Sequence, residues 1–163
     1  MGFVFTGMAQ EPDSRGYKVK VGQLAPGFSV KLTDGKKVEL SQFLGKVVML
    51  QFTASWCGVC RKEMPHIEKE IWQKHKENDF VLIGLDRDEP INKAVNLIAA
   101  TKITYPLALD EGAHIFTKYA NKESGVTRNV IINRKGEIIF LTRLFNKEEF
   151  DEMKNVIEIE LAK

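Results

Sequence analysis

The chain has 163 residues, 44% hydrophobic and 28% charged, with a formal net charge of +2. That is the make-up of one soluble globular domain, long enough to bury a core without disulfide staples or structural metal. The cations are scattered, which excludes a basic block for nucleic acid or membrane lipid, and no apolar run reaches the roughly 20 residues of a transmembrane segment.

The start, MGFVFTGMAQ, is apolar, with Gly7 and Ala9 before Gln10. It resembles the tail of a signal peptide lacking its positive region; an ordinary disordered tail is the alternative. Residues 1–16 are therefore set aside, leaving one domain over 17–163. Gly16 to Val21 reads as a short strand. Phe28, Val30 and Leu32 alternate with polar neighbours, and Val38 and Leu40 resume the pattern after Thr33-Asp34-Gly35-Lys36, predicting a β-hairpin. Ser41 caps a short helical turn ending at Gly45.

Val47 to Thr53 is a nearly continuous apolar run, the mark of a strand buried on both faces. A helix follows, with Met64, Ile67, Ile71 and His75 at helical spacing and Pro65 inside it as a kink. Phe80 to Leu85 is a second buried strand. Ile91 to Lys102 is a helix whose stripe is Ala94, Val95, Ile98 and Ala99. Pro106 to Leu109 is extended, and His114 to Asn121 is a short helix. Val130–Ile132 and Ile138–Leu141 form a hairpin around Asn133-Arg134-Lys135-Gly136. Asn146 and Glu149 make a capping box for a last helix that turns Phe150, Met153, Val156, Ile157 and Leu161 inward. The order predicts an α/β fold: a central mixed sheet flanked by helices, with an added N-terminal β-hairpin.

The chain has two cysteines, Cys57 and Cys60. A disulfide framework needs more pairs at wider spacing, and a zinc site needs two further ligands from His66, His75 and His114. Cys57 falls where a buried strand ends and a helix begins, so the helix amino terminus can stabilise its thiolate. Cys60, one turn on, is placed to resolve a mixed disulfide. Two buried structural thiols, or half of a metal site, is the competing reading.

The stretch VVMLQFTASWCGVC, its continuation RKEMP, and GVTRNVIINRKGEII resemble the thioredoxin superfamily. The similarity runs over roughly residues 20 to 160 and is nearest the exported TlpA/ResA-type branch, whose hairpin precedes the core. It implies a thioredoxin-like fold, with Cys57 as nucleophile, Cys60 as resolving thiol and Trp56 shaping the substrate surface. A plain packing role for Trp56 is compatible with this.

Three departures from that pattern matter. Gln51 stands where cytosolic-type thioredoxins carry a buried Asp, and it cannot exchange a proton near neutral pH. Glu63, one turn past Cys60 and often Glu in the exported branch, is the candidate acid–base partner; a solvent-facing surface residue is the alternative. Thr127 stands at the cis-proline position. A non-proline cis bond costs about 2.5–4 kcal/mol, so Val126–Thr127 is predicted trans, with the Thr127 hydroxyl near Cys57 and the usual peptide-docking geometry altered. Arg128 follows, either supporting the Cys57 thiolate or facing solvent. Asp86 and Asp88 read as a solvated loop, with a metal pair as the alternative, and His66 and His114 as surface or packing residues.

The expected activity is thiol–disulfide exchange in the periplasm or cell envelope, with the cytoplasm as alternative. The Gly58-Val59 spacer adds no ring charge and points to a reducing pair. The expected partners are disulfide-containing protein substrates and a membrane or periplasmic dithiol electron donor, with no nucleic acid, no cofactor and no resident metal. The competing functions are a peroxiredoxin-like peroxidase, for which Thr53 sits one residue too far from Cys57, and a non-catalytic metal-binding or delivery module.

Overall fold

The computed structural model describes residues 12–163. The signal-like stretch, up to residue 11, lies outside them. Seven strands form one sheet in the order β2-β1-β5-β4-β3-β6-β7. They are β1 (Ser29–Leu32), β2 (Lys37–Glu39), β3 (Val47–Thr53), β4 (Phe80–Arg87), β5 (Leu107–Asp110), β6 (Arg128–Ile132) and β7 (Ile138–Leu141). β3, β4 and β5 run parallel, and the other neighbours pair antiparallel. The mixed sheet and the leading hairpin are as the sequence implies.

All seven residues of β3 are buried, because the strand has layers on both sides. Val48, Leu50 and Phe52 pack with Tyr17, Phe116 and Tyr119. Val47 and Met49 pack with Met64, Ile67, Leu97, Met153 and Ile157 from the helices. Those helices are α1 (Gly58–Ile67), α2 (Gln73–His75), α3 (Ile91–Thr101), α4 (Phe116–Tyr119) and α5 (Lys147–Leu161). In the hairpin turn Gly35 takes φ +91° and its amide closes on the Leu32 carbonyl, a conformation that suits glycine.

Several elements differ from the sequence reading. Gly16–Val21 is not a strand: only Tyr17 makes a bridge, to Ala120. The rest of the segment is tied by single backbone bonds, from the Lys18 amide to the Tyr119 carbonyl and from the Asn121 amide to the Gly16 carbonyl, and by side chains. Tyr17 Oη donates to the Thr142 carbonyl (2.6 Å) beneath the Arg128 guanidinium. Tyr17→Phe leaves that buried carbonyl without its donor and is expected to cost about 1 kcal/mol, read as a lower urea midpoint at unchanged m-value. The turn after β2 is capped by Glu39 rather than Ser41, in a reciprocal pair with Gln42. The helix runs on past Pro65 to His75, as its spacing implies, but not as one regular helix. It continues through a π-wound turn, Glu68–Trp72, into α2. α3 buries Ala94, Leu97 and Thr101 and exposes Val95 and Ala99, since its apolar residues outnumber the positions on one face. At α5, Asn146 accepts from the Glu149 amide, but the Glu149 carboxylate turns to Arg15 and the Arg143 amide, so only half of a capping box forms.

Candidate functional site

The parallel strands β3 and β4 end side by side, Thr53 opposite Asp86, and the redox loop Ala54–Cys57 leaves from that edge. Cys57 is the N-cap of α1, in extended conformation, and its sulfur accepts the Cys60 amide at 3.3 Å. Both cysteines are unbonded to each other. Cys57 is 8% exposed and Cys60 fully buried, so a macromolecular substrate has access to Cys57 alone. A hydrogen bond from Cys60 pushes the Cys57 thiol well below its ordinary value against the opposing effect of burial, helped by the Thr127 hydroxyl and the Cys60 and Val59 amides. The Cys60 thiol is pushed up by the same bond and by its burial. One thiolate and one thiol therefore coexist near neutral pH, with the charge on the reachable sulfur.

Thr127 stands 3.1 Å from Cys57 Sγ and 3.2 Å from Cys60 Sγ through its hydroxyl. Val126–Thr127 is trans, as is every peptide bond among the described residues. The Thr127 carbonyl accepts from the Leu144 amide and from Arg143 Nη1, both at 3.1 Å, so it is already engaged within the protein. Thr127→Val keeps the shape and removes the donor. Its expected effect is a rise of about one pH unit in the Cys57 thiolate titration, followed by absorbance at 240 nm.

Glu63 does not face solvent. It is 1% exposed, and Asn129 Nδ2 donates to its Oε1 at 2.6 Å, while Oε2 has no partner. Burial, with the Cys57 charge nearby, pushes its carboxyl up to about 8, against the bond from Asn129. Gln51 is also buried, its Oε1 accepting from Tyr105 Oη at 2.7 Å. Gly84 lies beside that pair, and a Cβ there would meet Leu107 Cδ1 at 2.6 Å.

Arg128 fits neither expectation held for it. It is fully buried, donates from Nε to the Gly125 carbonyl, and stacks over Tyr17 (4.5 Å) and Phe116 (5.9 Å). Its role is to pin the N-terminal segment to β6. Trp56 is 64% exposed beside the half-exposed Val59, so its ring is free for a partner instead of packed in the core. Asp86 is not on a solvated loop: it is completely buried, and burial beside Glu89 pushes its carboxyl up to about 8. Asp88 accepts from the Gly112 amide. His66 pairs with Glu70 on the surface.

Asn129, Tyr105, Ser55 and Glu89 escaped the sequence reading. Asn129 carried the one available signal, a carboxamide inside an apolar strand. The Thr53 hydroxyl donates to Met64 Sδ at 3.4 Å and also favours the ionised form of Cys60, against the effects that keep that thiol protonated. Among the described residues no three His, Cys, Asp or Glu side chains gather into a group able to hold a metal ion. No helix among them is long and apolar enough to cross a membrane.

Comparison with known proteins gives concordant results. The Redoxin family profile matches residues 20–157. The thiol-disulfide oxidoreductase ResA of Bacillus cereus is 35% identical over 126 residues, covering 77% of this chain and 71% of ResA. A Bacteroides thetaiotaomicron solution structure, described as a candidate protein disulfide isomerase, is 58% identical with a TM-score of 0.89, covering 93% of this chain and 96% of that one. A candidate thiol:disulfide interchange protein DsbE from Chlorobium tepidum is 25% identical, with a TM-score of 0.75 over 88% of this chain and 99% of its own.

Proposed function

The chain belongs to the Redoxin family, among thiol–disulfide oxidoreductases of the ResA type, and from that premise we propose that it reduces disulfides of exported proteins through Cys57 and Cys60. The observation that carries this reading is the placement of an accessible, thiolate-stabilised Cys57 at the α1 amino terminus, with a buried Cys60 thiol one turn away.

The Cys57 thiolate attacks one sulfur of a substrate disulfide. That S–S bond breaks, a mixed disulfide forms, and the leaving sulfur takes up a proton. The Cys60 proton then passes to a base, and the Cys60 thiolate attacks Cys57 Sγ. The substrate departs with both sulfurs reduced, and the protein keeps the two-electron oxidation as a Cys57–Cys60 disulfide. Glu63, held protonated by its burial, suits both proton steps: its carboxyl supplies the first proton and its carboxylate accepts the one from Cys60. Trp56 and Val59 form the apolar rim on which a polypeptide rests. A dithiol donor in or near the membrane returns the pair to its reduced state.

The resemblance to the exported branch supports a periplasmic or envelope location, and subcellular fractionation tests it directly. The direction of exchange is tested by equilibrating the protein in dithiothreitol and glutathione buffers. A reductase requires a potential below about −200 mV, whereas a value near that of DsbA, about −120 mV, makes the protein an oxidant and overturns the reading.

A further inference from the structure

The loop that carries Cys57 has few anchors of its own. Trp56 projects into solvent, and within the loop the backbone closes only through the Cys57 amide on the Ala54 carbonyl at 3.1 Å. A side chain from a different part of the fold supplies the remaining hold. Glu89 Oε2 accepts the Ser55 amide at 2.8 Å, and Glu89 Oε1 accepts the Ser55 hydroxyl at 2.6 Å. We propose that Glu89 is a positioning residue for the redox loop, gripping Ser55 with both carboxylate oxygens so that Cys57 stays in the N-cap geometry where its sulfur meets the Cys60 amide. The proposal rests on the reading of Cys57 as nucleophile and adds to it the group that sets its place.

The segment bearing Glu89 is built to hold still. Asp88 before it adopts φ +52°, with its amide on the Asp110 carbonyl and its carboxylate on the Gly112 amide. Pro90 after it has a fixed φ and caps α3. Below Glu89 lies the buried Asp86 carboxyl, both of whose oxygens lack a donor. Two carboxyl groups this close stay together only if one keeps its proton. Burial opposes charge on Glu89, but the two Ser55 bonds outweigh it and hold Glu89 below the usual range, with Asp86 and Lys93 also favouring its charged form. The buried Asp86 is the group that keeps the proton, and Asp110 on β5 adds to the pressure on it. Glu89 thus remains a full acceptor toward Ser55.

A carboxylate near a thiol has two opposed effects. Its charge disfavours the thiolate, while its grip on the loop preserves the amide contacts that favour it. The pH dependence of Cys57 alkylation by iodoacetamide separates the two through Ser55→Ala, Glu89→Gln and Glu89→Ala. Ser55→Ala keeps the charge and loses one bond. Glu89→Gln loses the charge and can keep both contacts with Ser55, its carbonyl oxygen accepting the amide and its NH2 donating to the hydroxyl oxygen. If Glu89 positions the loop, Ser55→Ala and Glu89→Ala move the thiolate midpoint upward. The rate at pH 5, below the wild-type midpoint, then falls about threefold for Ser55→Ala and about tenfold for Glu89→Ala. A downward midpoint in Glu89→Gln with no change in Ser55→Ala assigns the effect to charge and overturns the proposal. Lower thermal stability with unmoved midpoints reduces Glu89 to a structural tie and also overturns it. Should Glu89→Ala fail to fold, Ser55→Ala decides alone, since it removes one oxygen from a half-buried residue. Peptide mass mapping of the wild-type label keeps the two readings apart: first labelling at Cys60 defeats the assignment of Cys57, whereas labelling at Cys57 with wild-type midpoints in the variants defeats only the clamp.

Discussion

Cys60→Ser is expected to accumulate a covalent mixed disulfide with its substrates, and Cys57→Ser to accumulate none while losing disulfide reduction by about three orders of magnitude or more. The asymmetry follows from burial and charge. Cys57 is partly open to solvent and holds the favoured thiolate, whereas Cys60 is fully enclosed and its thiol is held protonated. A substrate sulfur can meet Cys57 in line but has no path to Cys60. Removing Cys60 leaves the first attack intact and deletes the only nearby sulfur able to release the product. Non-reducing electrophoresis of cell extracts, followed by mass spectrometry of the adducts, reads the difference and identifies the partners. Equal trapping by both variants means that the sulfurs are equivalent to substrate, and the assigned roles fall.

Much of this site is legible in the sequence because its parts are local. A strand buried on both faces can be read from Val47–Thr53, and a motif at its carboxyl end must stand at a helix amino terminus. Glu63 lies one turn from Cys60 whatever the rest of the chain does. Thr127 is legible through resemblance, since only the alignment of the β6 strand places it opposite the cysteines, and the hydroxyl meets both sulfurs. What sequence cannot show is which polar side chains meet across the sheet. Asn129 reaches Glu63 from 66 residues away, Tyr105 reaches Gln51 from 54, and Glu89 reaches Ser55 from 34. Each contact depends on strand order, which a linear pattern does not encode.

The same cause explains the errors at Asp86 and Arg128. Charged residues next to a strand end read as exposed by composition, yet the layer of helices and the N-terminal segment close over both. Arg128 is held there by its Nε bond to the Gly125 carbonyl and by the Tyr17 and Phe116 rings, 4.5 and 5.9 Å from its guanidinium carbon. The segment at Gly16–Val21 has strand-like residues, but it pairs only through the Tyr17–Ala120 bridge and single backbone bonds to the chain after α4, with the Tyr17 ring under Arg128, rather than along a sheet edge.

Glu63→Gln is expected to stabilise the protein while slowing it. Burial raises the Glu63 carboxyl to about 8 in the folded chain, from an ordinary 4.5. The folded state therefore binds more protons than the unfolded state between those values. Stability is fully present below about pH 4.5 and falls as pH rises toward 8, by roughly 1.4 kcal/mol per unit for one such group. Glutamine carries no proton to lose. It can keep the bond from Asn129 Nδ2, and its amide can donate to Asn129 Oδ1, which has no partner in the wild type. At pH 8 the variant should be the more stable, by up to about 5 kcal/mol at that slope, or about 10–20 °C in melting temperature. The slope of unfolding free energy against pH should shrink by close to one proton, leaving the contribution of Asp86, which is raised in the same range. Catalysis moves the other way. The variant cannot accept the Cys60 proton, so resolution of the mixed disulfide slows by about 10²–10⁴-fold, and the inflection near pH 8 disappears from the rate profile. An unchanged rate profile removes Glu63 from the chemistry, and an unchanged stability slope shows that its carboxyl is charged in the folded protein. Loss of both the slope and the rate inflection ties them to one buried proton, held at a cost in stability because the exchange reaction uses it.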